Sequence, residues 1–191
     1  MNTVERVTAS LIRGWQEGRR QSADGLSLDT AAQAYEVQQR VADRMGWFNG
    51  APARSWKLGG KPDDGLISAA RVPTDAVHPS GWQVPPGYCS GYGIEAEIFV
   101  RLSRDLNEHT DLDLAYDAVE AWMPGIELCD TRWLEGEKAD PLLRLADQQL
   151  SRALIAGKPQ LFRKSLNWNE QKVSLLVNGV SHIFGKVGHP F

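Results

Sequence analysis

At 191 residues the chain fits one domain of ordinary size, and its 42% apolar content with seven Trp describes a globular protein with a real core rather than a disordered or fibrous one. The net charge is only -3 and the basic residues are scattered, which argues against nucleic acid or anionic lipid as partners. No stretch approaches the ~20 apolar residues of a membrane span, and the N-terminus MNTVERVTASLIRGW lacks the apolar run of a signal peptide, so a cytoplasmic protein is expected.

The chain opens on an amphipathic helix. Val4, Val7, Leu11 and Trp15 recur at helical spacing, Asn2 with Glu5 resembles a capping box, and the helix should run to about Gly18. After a polar stretch around Ser22 to Gly25, a second helix carries Ala31, Ala34, Tyr35, Gln38, Val41 and Met45 on the same period and ends near Gly46. From about Arg54 the period falls to two, with Trp56 and Leu58 on an apolar side and Ser55 and Lys57 opposite them. Residues 60 to 93 are rich in Gly, Pro, Asp and Ser and read as site-shaping loops with one short strand.

The clearest strand is GIEAEIFVRL, in which Ile94, Ala96, Ile98, Val100 and Leu102 share one face and Glu95, Glu97, Phe99 and Arg101 the other. Asp113 to about Met123 reads as a helix with Leu114, Ala115, Ala118, Val119 and Trp122 as its buried stripe, stopped by Pro124 and Gly125. In GIELCD, Glu127 points away from the face of Ile126 and Leu128. A short helix follows from Pro141 with Asp140 as its N-cap, and KVSLLVNGVSHIFGK makes a hairpin around a type I′ turn at Asn178 and Gly179.

Three glutamates carry the chemical signal. Glu95 and Glu97 emerge on one strand face with Cα atoms roughly 7 Å apart, a costly arrangement for two anions unless a cation sits between them. Glu127 is a third acid on an otherwise apolar strand, and oxygen-only ligands suit Mg²⁺ or Mn²⁺ rather than zinc. On spacing alone, the solvated face of an antiparallel sheet is the commoner home for an E-x-E pair, and Lys57 fits a snorkelling surface lysine. Cys89 and Cys129 read as buried free thiols. His78, His109, His182 and His189 lie in loops or the hairpin without ligand spacing and read as structural.

Several segments together resemble the fumarylacetoacetate hydrolase superfamily, in its 2-keto-4-pentenoate hydratase and oxalocrotonate decarboxylase branch. AYEVQQRV at Ala34 to Val41 resembles the branch's A-Y-x-V-Q helix and WKLGG at Trp56 to Gly60 its K-x-G strand end. IEAEIFV is similar to the family's E-x-E strand, and PGIELCDTRW, with Glu127 lying 30 residues after Glu97, to its P-x-[IL]-E-x-x-D-[ST]-R segment. LADQQLSRALIAGKP at Leu145 to Pro159 resembles the A-D-N segment, with Gln148 where the branch has Asn, and VNGVSHIFGKVGHPF resembles the penultimate hairpin.

The resemblance implies an α+β fold, with N-terminal helices beside a mixed, mostly antiparallel β-roll. Residues 1–191 would form a single catalytic-type domain, helical over 1–50 and an incomplete roll over 51–191, because the family chain continues past GHPF into strands absent here. It implies Glu95, Glu97 and Glu127 as ligands of Mg²⁺ or Mn²⁺, Lys57 as the catalytic cation beside the substrate, and Asp130 and Arg132 as groups that orient the ligands, a plain surface ion pair being the alternative for these two. The activity implied is hydration of 2-hydroxy-2,4-dienoates in aromatic catabolism, by a lyase whose metal stabilises negative charge on the 2-oxo oxygen during enol to keto conversion. The alternatives are decarboxylation of the oxalocrotonate type or a truncated, non-catalytic subunit. The partners implied are a small 2-oxo or 2-hydroxy-dienoic acid, further copies of the chain, or a catabolic enzyme.

Overall fold

Residues 2–59, 67–91, 93–165, 167 and 172–186 are described by the structure, a computed structural model. The first two helices follow their sequence signals. Helix α1 spans Thr3–Glu17, where the Asn2 side chain accepts a hydrogen bond from the Glu5 amide at 2.9 Å and Gly18 closes the helix in the left-handed region at φ 61°. Helix α2 spans Ala31–Met45 between the Thr30 cap and Gly46.

Strands β1 (Ser55–Gly59) and β2 (Ser68–Val72) pair antiparallel, with Lys57 opposite Ala70. Strand β3 covers Val77–Pro79, β4 Gly93–Leu102 and, after the six-residue helix α3 at Leu112–Asp117, β5 covers Val119–Cys129. Helix α4 (Pro141–Ala146), capped by the Asp140 side chain, precedes β6 (Ser151–Ala156) and β7 (Gln160–Leu161). The order β3-β6-β5-β4, with β7 on β5, makes a five-stranded sheet. Strands β8 (Lys172–Val177) and β9 (Val180–Lys186) form the expected hairpin. Asn178 and Gly179 take φ values of 52° and 79° there, as a type I′ turn requires. The expected α+β architecture, with antiparallel strand pairs dominating, is met.

Three local expectations are corrected. The helix foreseen over Asp113 to Met123 ends at Asp117, and Val119 to Met123 instead start an eleven-residue strand. Val119, Ala121 and Met123 are buried in alternation there, so the residues that fit a helical stripe also fit a two-residue period, and strand pairing decided between them. The loop-rich segment holds two short strands, β2 and β3, rather than one, with His78 on β3 rather than in a loop. In β1 the apolar side is the outer one: Trp56 and Leu58 are 55% and 66% exposed, while the Lys57 side chain is only 10% exposed. His189 and Gly60 lie outside the described residues.

The chain divides into two compact units, residues 1–95 with 126–155 and residues 96–125 with 156–191. The first has a core of Val4, Val7, Leu11, Val37, Val41, Trp133 and Leu143. Two polar side chains are paired within it: Gln38 on α2 donates to the Leu145 carbonyl at 2.6 Å, and the Trp133 indole donates to the Leu143 carbonyl at 3.0 Å. A smaller cluster of Cys89, Leu128 and Ala153 packs with Trp82 and Tyr88. In the second unit Arg101 pairs with Glu120 at 2.5 Å, Tyr116 meets Phe162 edge to face, and Gly125 leaves room for the Phe99 ring.

Candidate metal centre

Lys57 and Glu127 come together because β1 turns its odd-numbered positions inward and β5 buries Glu127 completely. The ammonium donates to Glu127 Oε1 at 2.9 Å and to the Gln149 carbonyl at 3.3 Å. It also stands 2.9 Å from Glu127 Oε2 and 3.9 Å from Glu95 Oε2. Glu95, at the end of β4 that belongs to the first unit, is open to solvent, its side chain 57% exposed.

Burial favours the neutral amine of Lys57, but attraction and hydrogen bonding from Glu127, then the charge of Glu95, outweigh it and hold its pKa above the ordinary lysine range. For Glu127, burial dominates and raises the pKa above the usual carboxylate range, with Lys57 pulling it back. A 2.9 Å approach of the ammonium to both oxygens decides between these opposed tendencies, and the pair is ionic at neutral pH.

Glu127 shares its face of β5 with Cys129, and donor atoms of Glu95, Glu127 and Cys129 all lie within 4.8 Å of one another. Two carboxylates around one lysine leave a net negative charge, and the wholly buried Glu127 has the Lys57 ammonium 2.9 Å from Oε2. Such a donor set fits a divalent cation, with Glu95 and Glu127 as oxygen ligands.

The remaining wall is a strained turn that nothing in the sequence reading foresaw. Gln148, Gln149 and Leu150 take φ values of 53°, 55° and 64°, three consecutive side-chain-bearing residues in the left-handed region. Each costs about 1–2 kcal/mol relative to the right-handed form, so the turn persists only because its flanks are clamped. Arg132 is the clamp: Asp147 Oδ2 accepts from its backbone amide at 2.8 Å and Oδ1 from its Nε at 2.5 Å, while its guanidinium reaches the carbonyls of Asp147 at 2.9 Å and Ser151 at 3.2 Å. The Trp15 ring covers that guanidinium at 4.0 Å. Gly59 makes room for the turn, since a Cβ there would meet Gln149 Oε1 at 2.6 Å. The turn leaves Gln148 Oε1 and Gln149 Nε2 buried without hydrogen-bond partners, polar atoms of the kind that wait for a bound polar molecule.

The other expected site residues fall elsewhere. Asp130 receives the Ser90 amide at 2.8 Å and hydroxyl at 2.7 Å and pairs with Arg20, so it fastens a loop. Arg132 touches neither Glu95 nor Glu127 and acts through the turn. Glu97 belongs to the second unit. Cys129 is half-buried rather than buried, and neither cysteine is in a disulfide. His78 stacks on Trp82 at 3.5 Å, His109 is exposed beside Glu108, and His182 sits on β9, so these three are not among the candidate ligands found.

The architecture has solved counterparts. A structure of 4-oxalocrotonate decarboxylase from Pseudomonas putida G7, complexed with magnesium and adipate, superposes with a TM-score of 0.80 at 21% identity, over 97% of this chain and 75% of that one. A second structure of that enzyme, complexed with calcium and acetate, gives 0.78 at 20% identity, over 96% and 72%. The chain has the fold of these decarboxylases. No protein-family model matches it, and no curated protein sequence does. Among the described residues no helix is long and apolar enough to cross a membrane.

Proposed function

We propose that the protein is a divalent-metal lyase of the fumarylacetoacetate hydrolase superfamily, in its hydratase and decarboxylase branch, acting on small 2-oxo or 2-hydroxy-dienoic acids. Hydration of a 2-hydroxy-2,4-dienoate is the first reading. The observation that carries it is a wholly buried Glu127 that shares the Lys57 ammonium with Glu95. Glu95 and Glu127 would hold Mg²⁺ or Mn²⁺. When bound, the metal supplies a Lewis acid for the oxygen on which negative charge develops in enol to keto conversion.

The chain's own groups divide the remaining work. Lys57, kept as an ammonium by Glu127, neutralises the substrate carboxylate and stands ready to give a proton to the carbon skeleton. The unpaired Gln149 Nε2 would donate to a substrate oxygen, and the unpaired Gln148 Oε1 would accept from a substrate hydroxyl. Arg132 and Asp147 hold those atoms in place by clamping the turn. In hydration, ketonisation of the dienol yields a conjugated enone to which water adds. In decarboxylation, the second reading, the same groups stabilise the enolate charge left when CO₂ departs. Its support is the fold shared with two decarboxylase structures.

Wild-type protein with Mg²⁺ or Mn²⁺ should consume 2-hydroxypenta-2,4-dienoate, followed as loss of dienol absorbance, or release CO₂ from a 2-oxo-enoic diacid. Mn²⁺ binding should be lost in Glu127→Gln. Failure to bind Mn²⁺ overturns the metal reading. Binding without turnover of either substrate points to a non-catalytic subunit, and size measurement alone and with a homologous partner enzyme would then separate homo-oligomer from mixed assembly.

A further inference from the structure

We propose that a cleft between α2 and the outer face of the β1 and β2 pair binds a planar aromatic monocarboxylate. Trp56 faces the cleft while its neighbour Lys57 is turned inward, so the cleft lies on the other side of β1 from the candidate centre and stands independently of it.

Strand and helix periodicity build the walls. Trp56 on β1 is the direct partner of Arg71 on β2, so both side chains leave the same face, and Ala69 shares that face two residues before Arg71. Tyr35, Gln38 and Gln39 fall on one face of α2, three and four residues apart. These six residues line a cleft of about 250 Å³. The Tyr35 hydroxyl accepts from the Ala69 amide at 3.2 Å and ties the helix to β2. A cleft of this size falls below the roughly 300–1,000 Å³ that drug-sized ligands occupy, which limits the occupant to about one ring.

Two observations set the chemistry of that occupant. Trp56 and Tyr35 are 55% and 38% exposed, and neither stacks on another ring among the described residues, so two aromatic faces stand open to a planar apolar body. Arg71 supplies the charge. It is half-buried, its guanidinium carbon lies 5.1 Å from the centre of the Phe48 ring, and among the described residues no carboxylate pairs with it. A partly desolvated guanidinium without a counter-charge fits a carboxylate, which it holds through two parallel N–H donors. None of the six lining residues is acidic, so nothing in the wall repels that anion.

The test titrates the full chain with benzoate in the absence of metal. Nuclear Overhauser effects should run from the benzoate ring protons to the Trp56 and Tyr35 rings. Benzamide, which keeps the ring and lacks the charge, should bind about 10-fold or more weakly than benzoate. Affinity for benzoate should fall about 10-fold or more in Arg71→Met and about 2- to 10-fold in Trp56→Leu, with Arg71→Lys between Arg71→Met and wild type because it keeps the charge without the fork. Urea midpoints close to wild type establish that the variants are folded; where one is not, the Overhauser contacts and the benzamide comparison on wild type decide. Absence of benzoate binding, contacts to residues outside the cleft, equal affinity for benzamide, or a folded Arg71→Met of undiminished affinity overturns the proposal. So does a wild-type dimer that Trp56→Leu separates into monomers in light scattering, because a second copy of the chain then covers this face.

Discussion

The two compact units are stabilised in different ways. The first encloses Trp133, Leu143, Leu11 and the Arg132 and Asp147 pair with almost no exposure, and its strained turn is braced from both flanks. The second keeps much apolar surface open: Leu112 and Leu161 are 70% and 74% exposed, and α3 buries none of its residues. Strain of several kcal/mol is sustained only where packing is dense enough to determine the backbone, and the chain places its left-handed turn in the dense unit. Among its described residues the second unit uses left-handed backbone only at Asn178 and Gly179, where residue type already favours it.

The largest expected effect comes from breaking the brace. Arg132→Met leaves Asp147 buried without its ion pair, holding only the backbone amide of residue 132 and the Thr131 hydroxyl, a loss of about 3–5 kcal/mol. Urea unfolding followed by tryptophan fluorescence should show it, and the Mn²⁺ site should weaken along with it. If stability fell by less than about 1 kcal/mol, the contrast between the units would lose its basis.

Gly59→Ala probes the strain from the other side. Its new Cβ would press on Gln149 Oε1, and overpacking of this kind costs about 1–3 kcal/mol. Substrate affinity should fall more than metal affinity, because the turn supplies polar atoms rather than ligands; an unchanged Michaelis constant would remove the turn from the site.

In the second unit a smaller response is expected. Asn178→Ala puts an ordinary residue at φ 52° and should cost about 1 kcal/mol, with Asn178→Gly close to neutral. Equal losses in both variants would show that the hairpin depends on the Asn side chain and not on its backbone.

The smallest effect is a pH response. Hydrogen bonding from Lys164, then its charge, lowers the Asp117 pKa below the ordinary carboxylate value. A depressed folded pKa means that its contribution is present above the unfolded value and is lost as pH falls through the folded one. Both groups are exposed, so solvent screens the pair. Carboxyl carbon NMR should show Asp117 titrating below the ordinary aspartate value and returning to it in Lys164→Met.

Much of this architecture was legible in the residues, unevenly. Helices with local caps, such as Asn2 to Glu5 and Thr30 to Gln33, announce themselves because the cap and the helix are neighbours in sequence. Val119 to Met123 misled because helical and strand spacing overlap over five residues, and only a distant partner separates them. Lys57 pointed opposite Trp56 as expected, yet the buried side was the polar one, because Glu127, seventy positions later, receives the ammonium. Glu95 and Glu127 meet in the centre through strand placement, whereas Cys129 was passed over as a lone thiol: only the proximity of β4 to β5 at Gly93 gives it company. The turn at 148–150 carries no local signal, since Gln, Gln and Leu have no preference for left-handed backbone.

That turn also bears on the order in which the protein assembles. Its residues gain nothing from folding early, so it should close only after Arg132 has met Asp147, and its two backbone bonds, Leu150 to Asp147 at 2.9 Å and Asp130 to Leu150 at 2.8 Å, should be late to form and early to open. Amides of Leu150 and Asp130 exchanging faster than those of the α1 and α2 core would mark this turn as a separate, weaker latch on a durable frame. Mild destabilisation would then open the turn while leaving the helices intact.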